Sequence, residues 1–209
     1  AMKSGFTNEG GYGGTTRFLK NIMGMWMLQC IHKEIGEVYS FAEMAQMAQT
    51  SAYPCWIDAA DNRFLAPESM LEEVKAALRE AGSPQPESLA DVLRAVTMGL
   101  AVCYRDAIAE MSRVTGKTFT SINIVGGGSK NVLLNRFTAE AIKRPVITGP
   151  SEGTVIGNLL MQAIALGEIE DIWALRRVVE ASFPTDTYLP ETDGKAWDEA
   201  YERYTKLFG

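Results

Sequence analysis

Along most of this chain apolar residues recur at steps of three and four, the period of a helix buried along one stripe. Met23, Trp26, Met27, Ile31 and Ile35 carry it and predict a helix over about 22–35. Ser40 followed by Glu43 is an S-x-x-E capping box, in which side chain and backbone satisfy each other's orphan donors, and it predicts a helix starting at Ser40. Ser69 with Glu72 repeats the pattern and opens a helix running to Gly82. Ser83-Pro84-Gln85-Pro86 breaks the chain. Ser88 then caps the longest predicted helix, about 88–115, with Leu89, Leu93, Val96, Leu100 and Cys103 on one stripe and Gly116 at its end.

The second half alternates differently. Residues 120–125 and 145–148 are short branched runs that read as strands, each followed by a helical period. The first of these helices, about 130–143, carries Leu133, Leu134, Phe137 and Ala141. The second, about 153–166, places Val155, Ile156, Leu159, Leu160 and Ala163 on one face. Helices over 171–182 and 194–207 complete the chain, the last bearing Trp197, Tyr201 and Tyr204. Residues 7–18 have four glycines and no helical period, and predict a loop with a short extended piece. Tyr53 to Ile57 reads either as a short strand or as an irregular connection. No repeat, low-complexity segment or clear interdomain linker appears.

Strand, helix, strand, helix from residue 120 onward is a β-α-β-α unit, whose strands are usually parallel and joined right-handedly. Ligands of such units lie at the carboxyl ends of the strands, where Ile122-Asn123-Ile124-Val125 runs into Gly126-Gly127-Gly128. Glycines there let a flat base or a phosphate lie against bare main chain, and a following helix start favours an anion. A nucleotide site and a plain tight turn are both open on this segment alone.

Other candidate chemistry is weak. Gly116-Lys117-Thr118 lacks the first glycine of a P-loop, since that position is Met111, and a helix rather than a strand precedes it. The glycine triplet lacks the later glycine of a dinucleotide fold. His32, the only histidine, reads as a solvated helix residue. Asp58 and Asp61 read as turn formers, and the ten methionines as core filler. Neither a metal cluster nor a nucleophile pair with histidine can be assembled, so no residue here is assigned a catalytic or metal-binding role.

Composition narrows the setting. The chain has 209 residues, 46% hydrophobic and 22% charged, with a net charge of -6, which disfavours nucleic acid as a partner. It lacks an apolar run long enough to span a membrane. Cys30, Cys55 and Cys103 fit neither a disulfide framework nor a zinc site, in keeping with a reducing cytoplasm. The Ala1-Met2 opening reads as a scar, so the chain is expected to be a piece of something larger.

Four stretches carry a family resemblance. They are Thr7 to Gly11, Phe18 to Gln29, Ile124 to Asn135 and Gly149 to Asn158. In this order they resemble the C-terminal lobe of the FGGY carbohydrate kinases, and within that family the rhamnulokinase branch. The stretch Leu19-Lys20-Asn21-Ile22-x-Gly24-x-Trp26-x-Leu28-Gln29 is the specific part, while the glycine triplet with Asn131 is shared more widely among actin-like ATPases.

The resemblance implies an α/β domain of the actin-like, ribonuclease H-like ATPase fold. The whole of 1–209 would be a C-terminal nucleotide-binding lobe lacking its first strands, with an N-terminal sugar-binding lobe elsewhere. It implies ATP with Mg²⁺ as cofactors and a sugar, L-rhamnulose for the rhamnulokinase branch, held through the other lobe. It also implies ATP contacts at Asn21, Gln29, Gly126 and Gly127, with Asn131 beside the adenine. The catalytic base and sugar contacts would lie outside this chain. Self-association, or pairing with the missing lobe, is expected of a sheet with an unpaired edge. A kinase for another ketose or sugar alcohol, and a non-catalytic actin-like module, stay open.

Overall fold

In the computed structural model, which describes residues 5–208, a helical body leans on a small mixed sheet. Ala1 and Met2 lie outside the described residues. The chain opens with a hairpin: β1, Thr7–Gly10, pairs antiparallel with β2, Thr16–Leu19, in the register Thr7 to Leu19 through Gly10 to Thr16. Phe6 is buried and stacks on Phe18, with ring centroids 4.5 Å apart. Sequence alone predicted a loop with a short extended piece here, not a paired hairpin. The four glycines mask the strands, and both residues that ordinarily reveal a strand face, one buried and one polar, are missing because β1 is exposed throughout.

Four helices follow: α1, Trp26–Glu34; α2, Phe41–Thr50; α3, Met70–Glu80; and α4, Leu89–Thr115. The first starts later than its apolar period, because Gly24 at φ +57° lies outside helical space. Ser40 and Glu43 form the expected reciprocal box. Ser88 forms one with Asp91, a partner the sequence did not flag. At Ser69 only half a box exists. Its hydroxyl accepts from the Glu72 N–H, but Glu72 turns to Lys75, and Glu34 of α1 accepts from the N–H groups of Met70 at 2.8 Å and Leu71 at 3.2 Å. A carboxylate on those orphan donors also meets the favourable end of the α3 dipole.

Residues 53–57 are an irregular connection lying across α4. A Cβ on Gly99 would stand 2.5 Å from the Ile57 carbonyl oxygen, so glycine is what lets the two backbones meet. Around α4, Met27, Ile31, Met44, Phe64, Met70, Val74, Leu78, Leu93, Val96 and Leu100 form the main core.

The sheet comprises β3, Ile122–Ile124; β4, Val146–Thr148; and β5, Thr187–Tyr188, in the order β3-β4-β5. β3 and β4 are parallel, as the β-α-β-α reading required, and β5 runs antiparallel to β4. Between the parallel strands lies α5, Val132–Ile142, and after them come α6, Gly153–Ala165, and α7, Ile172–Ser182. The final helix α8, Lys195–Phe208, docks on α4 through Ala200 and Tyr204 against Val102, and Asp198 bonds both Arg105 and Lys143.

Two features leave this sheet incomplete. β3 is an edge strand, and α6, whose apolar face the sequence predicted, buries none of its residues: Val155 is 65% and Leu159 is 64% exposed. No helix of the described residues is long and apolar enough to cross a membrane.

Candidate functional site: a glycine shelf beside α1 and α2

β3 ends at Ile124, and the Gly149 N–H closes its end by donating to the Ile124 carbonyl at 2.8 Å. Gly126 then turns at φ +81° and ψ -167°, a region open to glycine and strained for other residues. Its N–H donates to Pro150 at 3.0 Å, and its carbonyl accepts from the backbone N–H and hydroxyl of Ser129. Gly126 is therefore required by the turn itself.

Gly127 is different. Its φ is not in the left-handed region, it is exposed, and a Cβ built there meets nothing within 4 Å. No feature of the described structure requires glycine at this point. Gly127 lines a cavity of about 430 Å³ together with Met25, Gln29, Phe41, Lys130 and Asn131.

The helix expected to start on the glycines begins later. A 3-10 turn over Gly127–Lys130 intervenes, and α5 starts at Val132 with Asn131 as its cap. The Asn131 carbonyl accepts from the Leu134 N–H at 3.0 Å, while its amide nitrogen lies 3.9 Å from Met25 Sδ. The positive end of α5 is thus occupied by the Asn131 side chain, and what faces the cavity is the glycine backbone.

Three of the sequence-derived residues meet at this cavity: Gln29, Gly127 and Asn131. Gln29 belongs to α1 and is exposed, and its side-chain amide makes no hydrogen bond among the described residues, so that amide is available to a ligand. Gly126 does not line it but makes the turn that leads into Gly127. Asn21 lies before α1 rather than on it, so it does not share a helix face with Gln29. It borders a different cavity, about 470 Å³, with Lys20, Trp26, Cys103, Asp106 and Tyr204.

Sequence reading missed two wall residues. Phe41 is 44% exposed and stacks on His32, with centroids 4.5 Å apart. His32 is accordingly half-buried against a ring rather than solvated. Lys130 is exposed, makes no ion pair among the described residues, and sets a cation on the rim. A lone aromatic after a capping serine gives no sequence signal for a pocket, and the lysine was hidden inside a motif read for its glycines.

The aspartates behave as turn formers. Asp58 accepts from the Ala60 N–H and the Tyr204 hydroxyl, and Asp61 accepts from Arg63. Met27, Met44 and Met70 are core residues. The thiols are free, and burial pushes Cys103 up to about 12 and raises Cys30, so neither is a reactive thiolate.

A third cavity, about 400 Å³, runs along the open side of β3 between α4 and α5. Ile108, Met111, Ile122, Ile124, Leu134 and Asn135 line it. Asn135 is fully buried. Its amide donates to the Ser129 carbonyl at 2.8 Å, but Oδ1 has no partner.

Comparison with known proteins identifies the family. The profile of the C-terminal domain of the FGGY family of carbohydrate kinases matches residues 1–166. The chain is 41% identical over 194 residues to a rhamnulokinase of Lactiplantibacillus plantarum, covering 92% of this chain and 40% of that protein. It is 39% identical over 197 residues to a rhamnulokinase of Bacteroides thetaiotaomicron, covering 94% of this chain and 40% of that one. The chain thus spans about 40% of the length of the curated relatives it matches. Among solved structures, a Plasmodium falciparum glycerol kinase with ADP superposes at a TM-score of 0.66 with 12% identity, over 94% of this chain and 39% of that one. A ligand-bound xylulose kinase from Lactobacillus acidophilus superposes at 0.63 with 16% identity, over 97% and 42%. At those identities the structures speak to the fold alone, which is the actin-like ATPase fold. The chain belongs to the FGGY family of carbohydrate kinases, whose C-terminal domain it matches.

Proposed function

We propose that this chain is the ATP-binding lobe of an ATP-dependent carbohydrate kinase that phosphorylates a sugar hydroxyl, with L-rhamnulose as the sugar. The observation that carries the nucleotide half is Gly127, a glycine with ordinary φ that lines a cavity and at which a Cβ would meet no protein atom within 4 Å. Glycine costs roughly 0.5–1 kcal/mol of conformational entropy relative to alanine in regular structure. A nucleotide lying on the bare backbone gives that residue a reason. The sugar is assigned on the names of the relatives near 40% identity.

On this reading Gln29 offers an amide that both donates and accepts, suited to the edge of a base or to ribose. Gly126 and Gly127 form the shelf, and Asn131 holds its far wall through the α5 cap. Asn21, in another cavity, is given no contact with the same nucleotide. Lys130 supplies positive charge at the rim. Mg²⁺ would neutralise charge on the phosphates. The base that takes the sugar proton, and the sugar contacts, belong to an N-terminal lobe. Closing the two lobes would exclude water from the phosphates. Free thiols suit a reducing compartment, and we assign the protein to the cytoplasm.

The partner of this lobe is read from its incomplete sheet. The edge of β3, the orphaned Asn135 Oδ1 beside it and the bare face of α6 all call for further strands. Strands of the same enzyme's remaining chain, or a second copy in their absence, would cover them.

The test is to supply the intact gene product with ATP and a panel of ketoses and to measure ADP release. Release that depends on L-rhamnulose is expected. Release on a different ketose would reassign the sugar, and none on any of them would overturn the kinase reading.

A further inference from the structure

Phe41 has a place in the fold that packing does not fully explain. It is the first residue of α2, and its backbone is fixed by the Ser40 and Glu43 box immediately before it. Its ring is 44% exposed. One side of that ring rests on His32 of α1, with the rings 4.5 Å apart and tilted by 32°. Beyond it lies the cavity that also holds Gln29 and Gly127. A large apolar ring on a helix end, packed against one ring and still 44% exposed while it lines a cavity, is able to take another flat group.

We propose that Phe41 is the stacking platform for the nucleotide base, and that it sets the preference of this site for a purine. The inference rests on the nucleotide reading of the same cavity and adds a residue and a selectivity to it. The cavity is divided by chemistry. Met25 and Phe41 are its apolar lining, Lys130 and the glycine backbone the lining suited to phosphate, and the Gln29 side-chain amide is free to meet a polar edge. A nucleotide has the same division, with a flat apolar face at one end and anionic oxygens at the other. Purines present the larger π-face, so a single aromatic platform favours them over pyrimidines. His32 behind the ring and the box before it hold the platform in place, which lowers the ordering cost of binding.

The experiment compares the intact gene product with Phe41→Leu and Phe41→Ala, titrating each with ATP, UTP, adenosine and inorganic tripolyphosphate. Leucine keeps apolar bulk against Leu28 and Met44, which also neighbour this ring, so it guards against a folding defect in the alanine variant. Both variants should bind ATP and adenosine at least about fivefold more weakly, as loss of one aromatic stack does. Tripolyphosphate binding should be unchanged, and the preference for ATP over UTP should shrink. Unchanged ATP and adenosine affinity would overturn the platform. So would an equal weakening of tripolyphosphate, which would mark a general loss of structure. Failure of the wild-type protein to bind ATP or adenosine at all would instead refute the nucleotide reading, and the platform with it. Loss of ATP in Gly127→Val without any effect at Phe41 would remove the platform alone.

Discussion

Gly126 and Gly127 stand side by side for different reasons. The first turns the chain at φ +81°, which its neighbours' hydrogen bonds require; the second has ordinary φ and open space where a side chain would be. Gly99 is a third case, set by contact. A methyl group there would stand 2.5 Å from the Ile57 carbonyl oxygen and 3.1 Å from that residue's Cγ1. Alanine gains about 1 kcal/mol as a helix former, but a clash with a backbone oxygen cannot be relieved by a rotamer change and typically costs about 1–3 kcal/mol. Gly99→Ala should therefore lower stability by about 1–2 kcal/mol in denaturant unfolding; equal or greater stability would show that residues 53–57 yield freely. Asp91 carries a pH signature. Its carboxyl is held below the ordinary value of 3.8, first by the Ser51 hydroxyl, 2.6 Å away, and further by Ser88 and the N–H of Glu87, against an opposing push from burial. A depressed carboxylate contributes stability that is complete above its unfolded value and disappears as pH falls through its folded value. The gap in melting temperature between wild type and Asp91→Asn should be widest near neutrality and close below the ordinary carboxylate range. A gap that stays constant on acidification would assign the effect to something other than charge.

Helix α3 illustrates how an element depends on its neighbours. Ser69 and Glu72 announced its start correctly, yet the charge at that start comes from Glu34 at the end of α1. Glu34→Ala should cost about 0.5–2 kcal/mol, the range for a lost helix cap, read as a lower unfolding midpoint; no loss would mean that water replaces the carboxylate without penalty. The same contrast governs what was legible. Ser40, Ser69, Ser88 and the apolar steps located α2, α3 and α4 because caps and stripes are local signals. The order of β3, α5, β4 and α6 followed from short branched runs between helical periods. The hairpin β1–β2 escaped because four glycines and an exposed strand leave no alternation to see. At the site, Gly127 was legible as part of a strand-turn-helix pattern. Phe41 was not, because its exposure depends on where α1 lies relative to α2. Asn21 stands apart from Gln29 because Gly24 sets the start of α1 beyond it.

As a whole, the molecule is finished on one side and open on the other. Helices α1 to α5 enclose a continuous core, whereas the three-stranded sheet ends at β3 with an apolar cavity, a buried orphan oxygen and an α6 that shows Val155 and Leu159 to solvent. Exposed strand edges and apolar faces of this kind recruit partners. The 209-residue chain by itself should show concentration-dependent association in size-exclusion chromatography with light scattering; a monomer at every concentration would contradict that. The central claim is narrower, namely that the bare backbone at Gly127 is kept open for a nucleotide. It is tested most directly by calorimetric titration of the intact gene product with ATP, before and after Gly127→Val. Because a Cβ at this position meets no protein atom within 4 Å, the variant should unfold at the same temperature as wild type while its ATP binding falls below detection. ATP binding of undiminished affinity in a normally folded Gly127→Val protein would contradict the account.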